Sequence, residues 1–94
     1  MTKRAVHRSA QFRKDIRLAH KQGKDITLLE SIIVMLANDE PLPEKYRDHA
    51  LSGNWKTHRE CHVTPDWLLV YRKNNNGELL LILARIASHS DLNF

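Results

Sequence analysis

The hydrophobic pattern of this chain changes period once, and that change limits the possible folds more than any other feature. In the first part, apolar side chains recur every three or four residues: Phe12, Ile16 and Ala19, then Leu29, Ile32, Ile33 and Leu36. This spacing lays a single stripe along a helix. From residue 55 the period falls to two, with Trp55, Thr57, Arg59, Cys61 and Val63 on one side and Lys56, His58, Glu60 and His62 on the other. Alternation of that kind belongs to a strand. Helices followed by a run of strands is an α+β pattern, not an alternating βαβ one.

Local signals place the boundaries. Residues 4–8 permit a short first strand. Ser9 is a suitable N-cap for an amphipathic helix that ends near Gly23. Thr27 and Glu30 have the spacing of a capping box for a second helix. The run Asn38-Asp39-Glu40-Pro41-Leu42-Pro43 should close it, because neither proline donates an amide and each disfavours helical geometry in the residue before it. Beyond the alternating stretch, 64–66 reads as a turn, 67–73 as a strand, 74–77 as a second turn and 78–86 as a last strand. The middle of this meander is apolar on both faces, which suits the centre of a sheet with a helical hairpin over one side. The expected order is β-α-α-β-β-β in one domain covering residues 1–94. The 41–53 connection is the loop where function is expected to sit.

Several function classes are excluded early. Cys61 is the only cysteine, so no internal disulfide or cysteine-based zinc site is possible. The longest apolar block, 79–84, is far short of the ~20 residues of a membrane span. Lys3, Arg4 and Arg8 have no apolar stretch behind them of the secretory kind, so a cytoplasmic protein is expected. The net charge of +4 is unevenly spread: residues 1–24 hold eight Lys/Arg against Asp15 alone, and residues 25–44 hold five acids with no Lys or Arg. A basic segment of that density attracts a polyanion or an acidic protein partner, while a merely solvated helix face is the plainer reading.

Six histidines are the main chemical resource, four of them (His49, His58, His62, His89) in the C-terminal half. None forms a helical i, i+4 metal pair. The three glycines build no phosphate loop, and Ser52, Ser88 and Ser90 lack the context of a nucleophile elbow. No metal or other cofactor is expected. Histidine, aspartate and arginine beside a basic surface suit cleavage of RNA by its own 2′-hydroxyl. That reaction needs a base, an acid and a cation for the crowded phosphorane-like charge.

The run Tyr46-Arg47-Asp48-His49-Ala50-Leu51-Ser52-Gly53-Asn54-Trp55-Lys56 is followed by Arg59-Glu60-Cys61-His62-Val63-Thr64-Pro65-Asp66-Trp67-Leu68-Leu69-Val70-Tyr71, then by Arg85 and Ser88-His89. These strings, with the basic first helix and Pro41-Leu42-Pro43, resemble YafQ-type toxins of the RelE/ParE superfamily over nearly the whole chain. The resemblance implies a RelE-like fold, two helices on a twisted, mostly antiparallel sheet, and a ribosome-dependent mRNA endoribonuclease of a type II toxin-antitoxin system. It implies His49, His62, Asp66, Arg85 and His89 as the catalytic set. Trp67, Phe94 and Lys56 would meet the substrate, and Arg13, Lys14, Arg17 and Lys21 the ribosome. The implied partners are the ribosome, mRNA and a DinJ/RelB-like antitoxin, assembled with it as a heterotetramer, with operator DNA reached only through the antitoxin. A ParE-like inhibitor of DNA gyrase and a catalytically inactive antitoxin-binding module are the alternatives. Three departures from the family pattern stand out: one extra residue before Phe94, Ala87 where a glycine is common, and His58 at a position where the family varies, which is left out of the site as a solvated strand residue.

Overall fold

The computed structural model describes residues 3–92. In chain order the elements are β1 (Ala5–Arg8), α1 (Ala10–Lys21), α2 (Ile26–Ala37), a 3-10 turn (Glu44–Tyr46), β2 (His49–Ala50), a second 3-10 turn (Gly53–Trp55), β3 (Arg59–Thr64), β4 (Trp67–Asn74), β5 (Leu80–Ala87) and α3 (His89–Leu92). The strands form one sheet in the order β1-β5-β4-β3-β2. Only β1 and β5 run parallel; the other pairs are antiparallel. The expected α+β order is present, with β2 and α3 added to it.

Strand β4 is central, and its residues Trp67, Leu68, Leu69, Val70 and Tyr71 are all buried. Alternate side chains enter two different cores. Trp67, Leu69 and Tyr71 join Phe12, Ala19, Leu29, Ile32 and Leu36 under the two long helices. Leu68 and Val70 meet Ala87, Leu92, Leu51 and Trp55 on the other face. A strand apolar on both sides is therefore covered twice, by the helices and by the 51–55 segment with α3. Both helices lie on one face as expected, with a groove between them lined in part by Phe12, Ile16, Ile26 and Ile33.

Three local expectations change. The cap of α2 is Asp25, whose Oδ1 accepts from the Leu28 amide at 3.0 Å, so Thr27 falls inside the first turn and no Thr27–Glu30 box forms. A carboxylate at the positive end of the helix outcompetes a hydroxyl two residues later. Strand β3 starts at Arg59, not Trp55, because Gly53 turns the chain with φ +64 and Trp55 packs against the second core. The apparent alternation around Trp55 records that burial. His58 is half-buried edge-on to Trp55, with ring centroids 4.9 Å apart, and burial lowers its pKa; it is not a solvated strand residue.

Asp39 ties the N-terminal segment to the sheet. Its Oδ1 accepts from Arg4 Nε at 2.6 Å and Lys73 Nζ at 2.8 Å. Its φ of 57 lies in the left-handed region, which aspartate and asparagine tolerate better than most residues. The Arg4 bond, then the Lys73 bond, holds the Asp39 carboxyl at about 2. A lowered folded-state pKa stabilises the protein fully above the ordinary carboxylate range, and the contribution disappears as pH falls through about 2. Asp39→Asn is expected to lower the denaturation midpoint at neutral pH, with the gap to wild type closing as pH drops from the ordinary carboxylate value of 3.8 toward about 2. Denaturation curves across that range check it.

Candidate active site

The short pairing of β2 with β3 places His49 opposite Glu60, at the sheet edge farthest from β1. Residues Glu60 and His62 are two apart on one strand and so share a face. His49 Nε2 lies 3.3 Å from Glu60 Oε1, and His62 Nε2 lies 3.9 Å from the same oxygen. The other ring nitrogen of His49, Nδ1, is 2.7 Å from the Arg47 carbonyl oxygen. Both nitrogens of His49 thus face acceptors, and only the charged imidazolium donates to both.

His62 is the hub. Its ring centroid is 6.1 Å from that of His49 and 5.5 Å from that of His89. His89 opens α3, and its backbone amide donates to Asp66 Oδ1 at 3.3 Å while its Nδ1 sits 3.5 Å from that oxygen. The turn after β3 and the helix after β5 are thereby fastened together. His89 is well exposed, with 57% of its side chain accessible, whereas His62 is at 15%. Exposed and recessed imidazoles side by side suit proton exchange with a bound polymer.

The segment carrying His49 is pinned from below. The buried Tyr71 hydroxyl donates to Asp48 Oδ1 at 2.6 Å, and Arg59 Nε donates to it at 3.3 Å. Burial, followed by the Asp48 bond, pushes the Tyr71 phenol well above its ordinary pKa. Burial also raises the Cys61 thiol to about 12, so the one cysteine takes no part as a thiolate.

His49, His62, His89 and Asp66 come together, but Arg85 does not join the imidazoles. Its Nε and Nη2 donate to the buried Asp15 at 2.9 and 3.2 Å. Arg85, Asp15, Asp66 and Trp67 line a cleft of about 540 Å³ on the α1 side. A separate cleft of about 630 Å³ is lined by Lys45, Arg47, His62, Pro65 and His89. Trp67 is only 2% exposed and serves as a core wall of the first cleft. Lys56 is exposed after the second 3-10 turn and makes no hydrogen bond or ion pair with the histidines among the described residues. Phe94 lies outside the described residues. Arg13, Lys14, Arg17 and Lys21 are all exposed along α1.

Glu60 is the residue that sequence reading missed. It is 4% exposed, and its Oε2 has no hydrogen-bond partner among the described residues. The period-two alternation already put it on the face of His62, which was the available signal. His49, Glu60 and His62 also offer two nitrogens and an oxygen within 4.8 Å of one another, a donor set that fits a borderline divalent ion. A scan for helical or cysteine spacings passes over a site assembled across two strands.

A small α+β fold with the imidazole cluster at the sheet edge agrees with the YafQ-type toxin that the sequence resembles, and comparison with known proteins makes the class specific. The family described as bacterial toxin of type II toxin-antitoxin system, YafQ, matches residues 4–93. The mRNA interferase toxin YafQ of Escherichia coli K12 is 40% identical over 93 residues, covering 98% of each chain. The E. coli DinJ-YafQ toxin-antitoxin complex contains a chain with a TM-score of 0.84 at 40% identity, covering 96% of this chain and 97% of that one. A metal-bound toxin from Helicobacter pylori gives a TM-score of 0.87 at 42% identity, covering 98% and 99%. The chain belongs to the YafQ family of type II toxins.

Proposed function

We propose that this chain is an mRNA interferase that cleaves messenger RNA in the ribosome and is neutralised by an antitoxin. The observation that carries the reading is the row of three imidazoles, His49, His62 and His89, with centroid separations of 6.1 and 5.5 Å beside an open cleft. One imidazole takes the proton of the 2′-hydroxyl, whose oxygen then attacks phosphorus. The bond to the 5′-oxygen breaks, and a protonated group supplies the proton that this oxygen needs. The products are a 2′,3′-cyclic phosphate and a 5′-hydroxyl.

His89, the most exposed of the row and next to Asp66, is placed to work at the scissile bond. His49, with a carbonyl on one nitrogen and Glu60 on the other, suits the acid. His62 orients both. Arg85, with Nη1 free of hydrogen bonds among the described residues, offers a cation on the Asp66 side. Trp67 supports that wall. The exposed Arg13, Lys14, Arg17 and Lys21 form a basic stripe suited to ribosomal RNA.

The related E. coli toxin is known in a complex with DinJ. An antitoxin of that kind, assembled with this chain as a heterotetramer and reaching operator DNA through its own DNA-binding part, is the proposed partner, and the cytoplasm the proposed site of action. A divalent ion on His49, Glu60 and His62 would supply Lewis acidity there, yet it would occupy two of the imidazoles the proton transfers need.

Inducing the chain without an antitoxin and mapping the 5′ ends of cellular RNA tests the reading. Cuts confined to translated frames, reproduced by purified protein added to ribosomes translating a defined mRNA, are expected. Growth arrest with intact mRNA and blocked gyrase would instead support the ParE-like alternative, and no arrest from folded protein the inactive binding module.

A further inference from the structure

The cleft lined by His62 and His89 calls for a cation close to the imidazoles, and Arg85, paired with Asp15 through Nε and Nη2, lies in the other cleft on the Asp66 side. Two cations line the imidazole cleft, Lys45 and Arg47. Lys45 Nζ rests 5.2 Å from the Tyr46 ring centroid. The exposed Arg47 side chain makes no hydrogen bond or ion pair among the described residues, so its charge is unspent.

The backbone of Arg47 is held more tightly than its side chain. It caps the first 3-10 turn with φ 49 and ψ 45, a left-handed conformation that non-glycine residues seldom adopt. Its amide donates to the Glu44 carbonyl at 2.9 Å, and its own carbonyl accepts from His49 Nδ1 at 2.7 Å. The next residue, Asp48, is fixed by Tyr71. An arginine in a position that glycine would fill with less strain is a cost that function can explain. We propose that Arg47 holds the scissile phosphate beside the three imidazoles, its free guanidinium presented from the backbone site that anchors His49.

This assignment rests on the nuclease reading above, and one set of variants separates the two. Single-turnover cleavage of an mRNA on ribosomes is measured for wild type, His89→Ala, Arg47→Gly and Arg47→Lys, with a melting curve for each. Arg47→Gly keeps the carbonyl that holds His49 and relieves the left-handed strain, so its melting temperature is expected to equal or exceed that of wild type. Its cleavage is expected to fall about 10²–10³-fold, the usual cost of removing a charge-stabilising group. Arg47→Lys is expected to recover part of that loss, since it restores the charge without the guanidinium fork. Cleavage by Arg47→Gly within a few-fold of wild type, while His89→Ala is inactive, would overturn the role of Arg47 alone. Absence of cleavage by folded wild type would overturn both readings.

Discussion

Replacing His89 with alanine is expected to lower mRNA cleavage by about 10²–10⁴-fold, the range attached to a positioned proton-transfer group. The fold should be nearly unaffected. His89 exposes 57% of its side chain, and its backbone bond to Asp66 survives the substitution. An exposed residue whose structural bond is made by its main chain contributes little to stability through its ring. Rate measurement beside a denaturation curve therefore separates chemistry from folding. A variant that cuts as fast as wild type would remove His89 from the proton-transfer set and leave His62 and His49 to carry it.

The largest expected effect on stability comes from Asp15. This residue is 8% exposed on the inner side of α1, and its carboxylate accepts from Arg85 Nε, Arg85 Nη2, the Ile86 amide and Gln11 Nε2. Helix α1 is thereby bolted to β5. Asp15→Ala leaves a guanidinium and a buried amide without their acceptor and is expected to cost about 3 kcal/mol. For a domain of this size that is a fall in melting temperature of roughly 12–24 °C. Chemical denaturation checks the figure, and a loss below about 1 kcal/mol would mean that the pair is largely compensated by solvent. Asp15→Asn, which retains one carbonyl oxygen for Ile86 or Arg85, should fall between alanine and wild type.

Much of the fold was legible because the apolar residues obey simple periods. Phe12, Ala19, Leu29, Ile32 and Leu36 reach the core that their helical spacing implied, and the doubly apolar β4 occupies the sheet centre. The two departures have different causes, a tertiary contact at Trp55 and a stronger local cap at Asp25. Trp55 looked like a strand residue but turns back onto the second core. Thr27 looked like a cap, yet Asp25 had the stronger acceptor.

The site was legible in a different way. His49, His62, Asp66 and His89 were named through family resemblance, and their meeting depends on strand pairings that no short window of sequence contains. Alternation along the strand puts Glu60 on the face of His62, but its burial against two imidazoles follows only from β2 lying beside β3. Asp15 was counted merely as the single acid in a basic segment. Its true role, neutralising Arg85 from 70 positions away along the chain, required the packing of α1 on β5. Arg47 gave no local sign at all, since a left-handed arginine is invisible until the backbone is known.

The proposed nuclease acts on mRNA held by the ribosome. Primer extension on a single reporter mRNA, incubated with purified protein in the presence and absence of ribosomes, tests it most directly. Cuts in the reading frame that require ribosomes and leave 5′-hydroxyl ends are expected. No cuts in either reaction, from protein that is folded and binds its antitoxin, would contradict it.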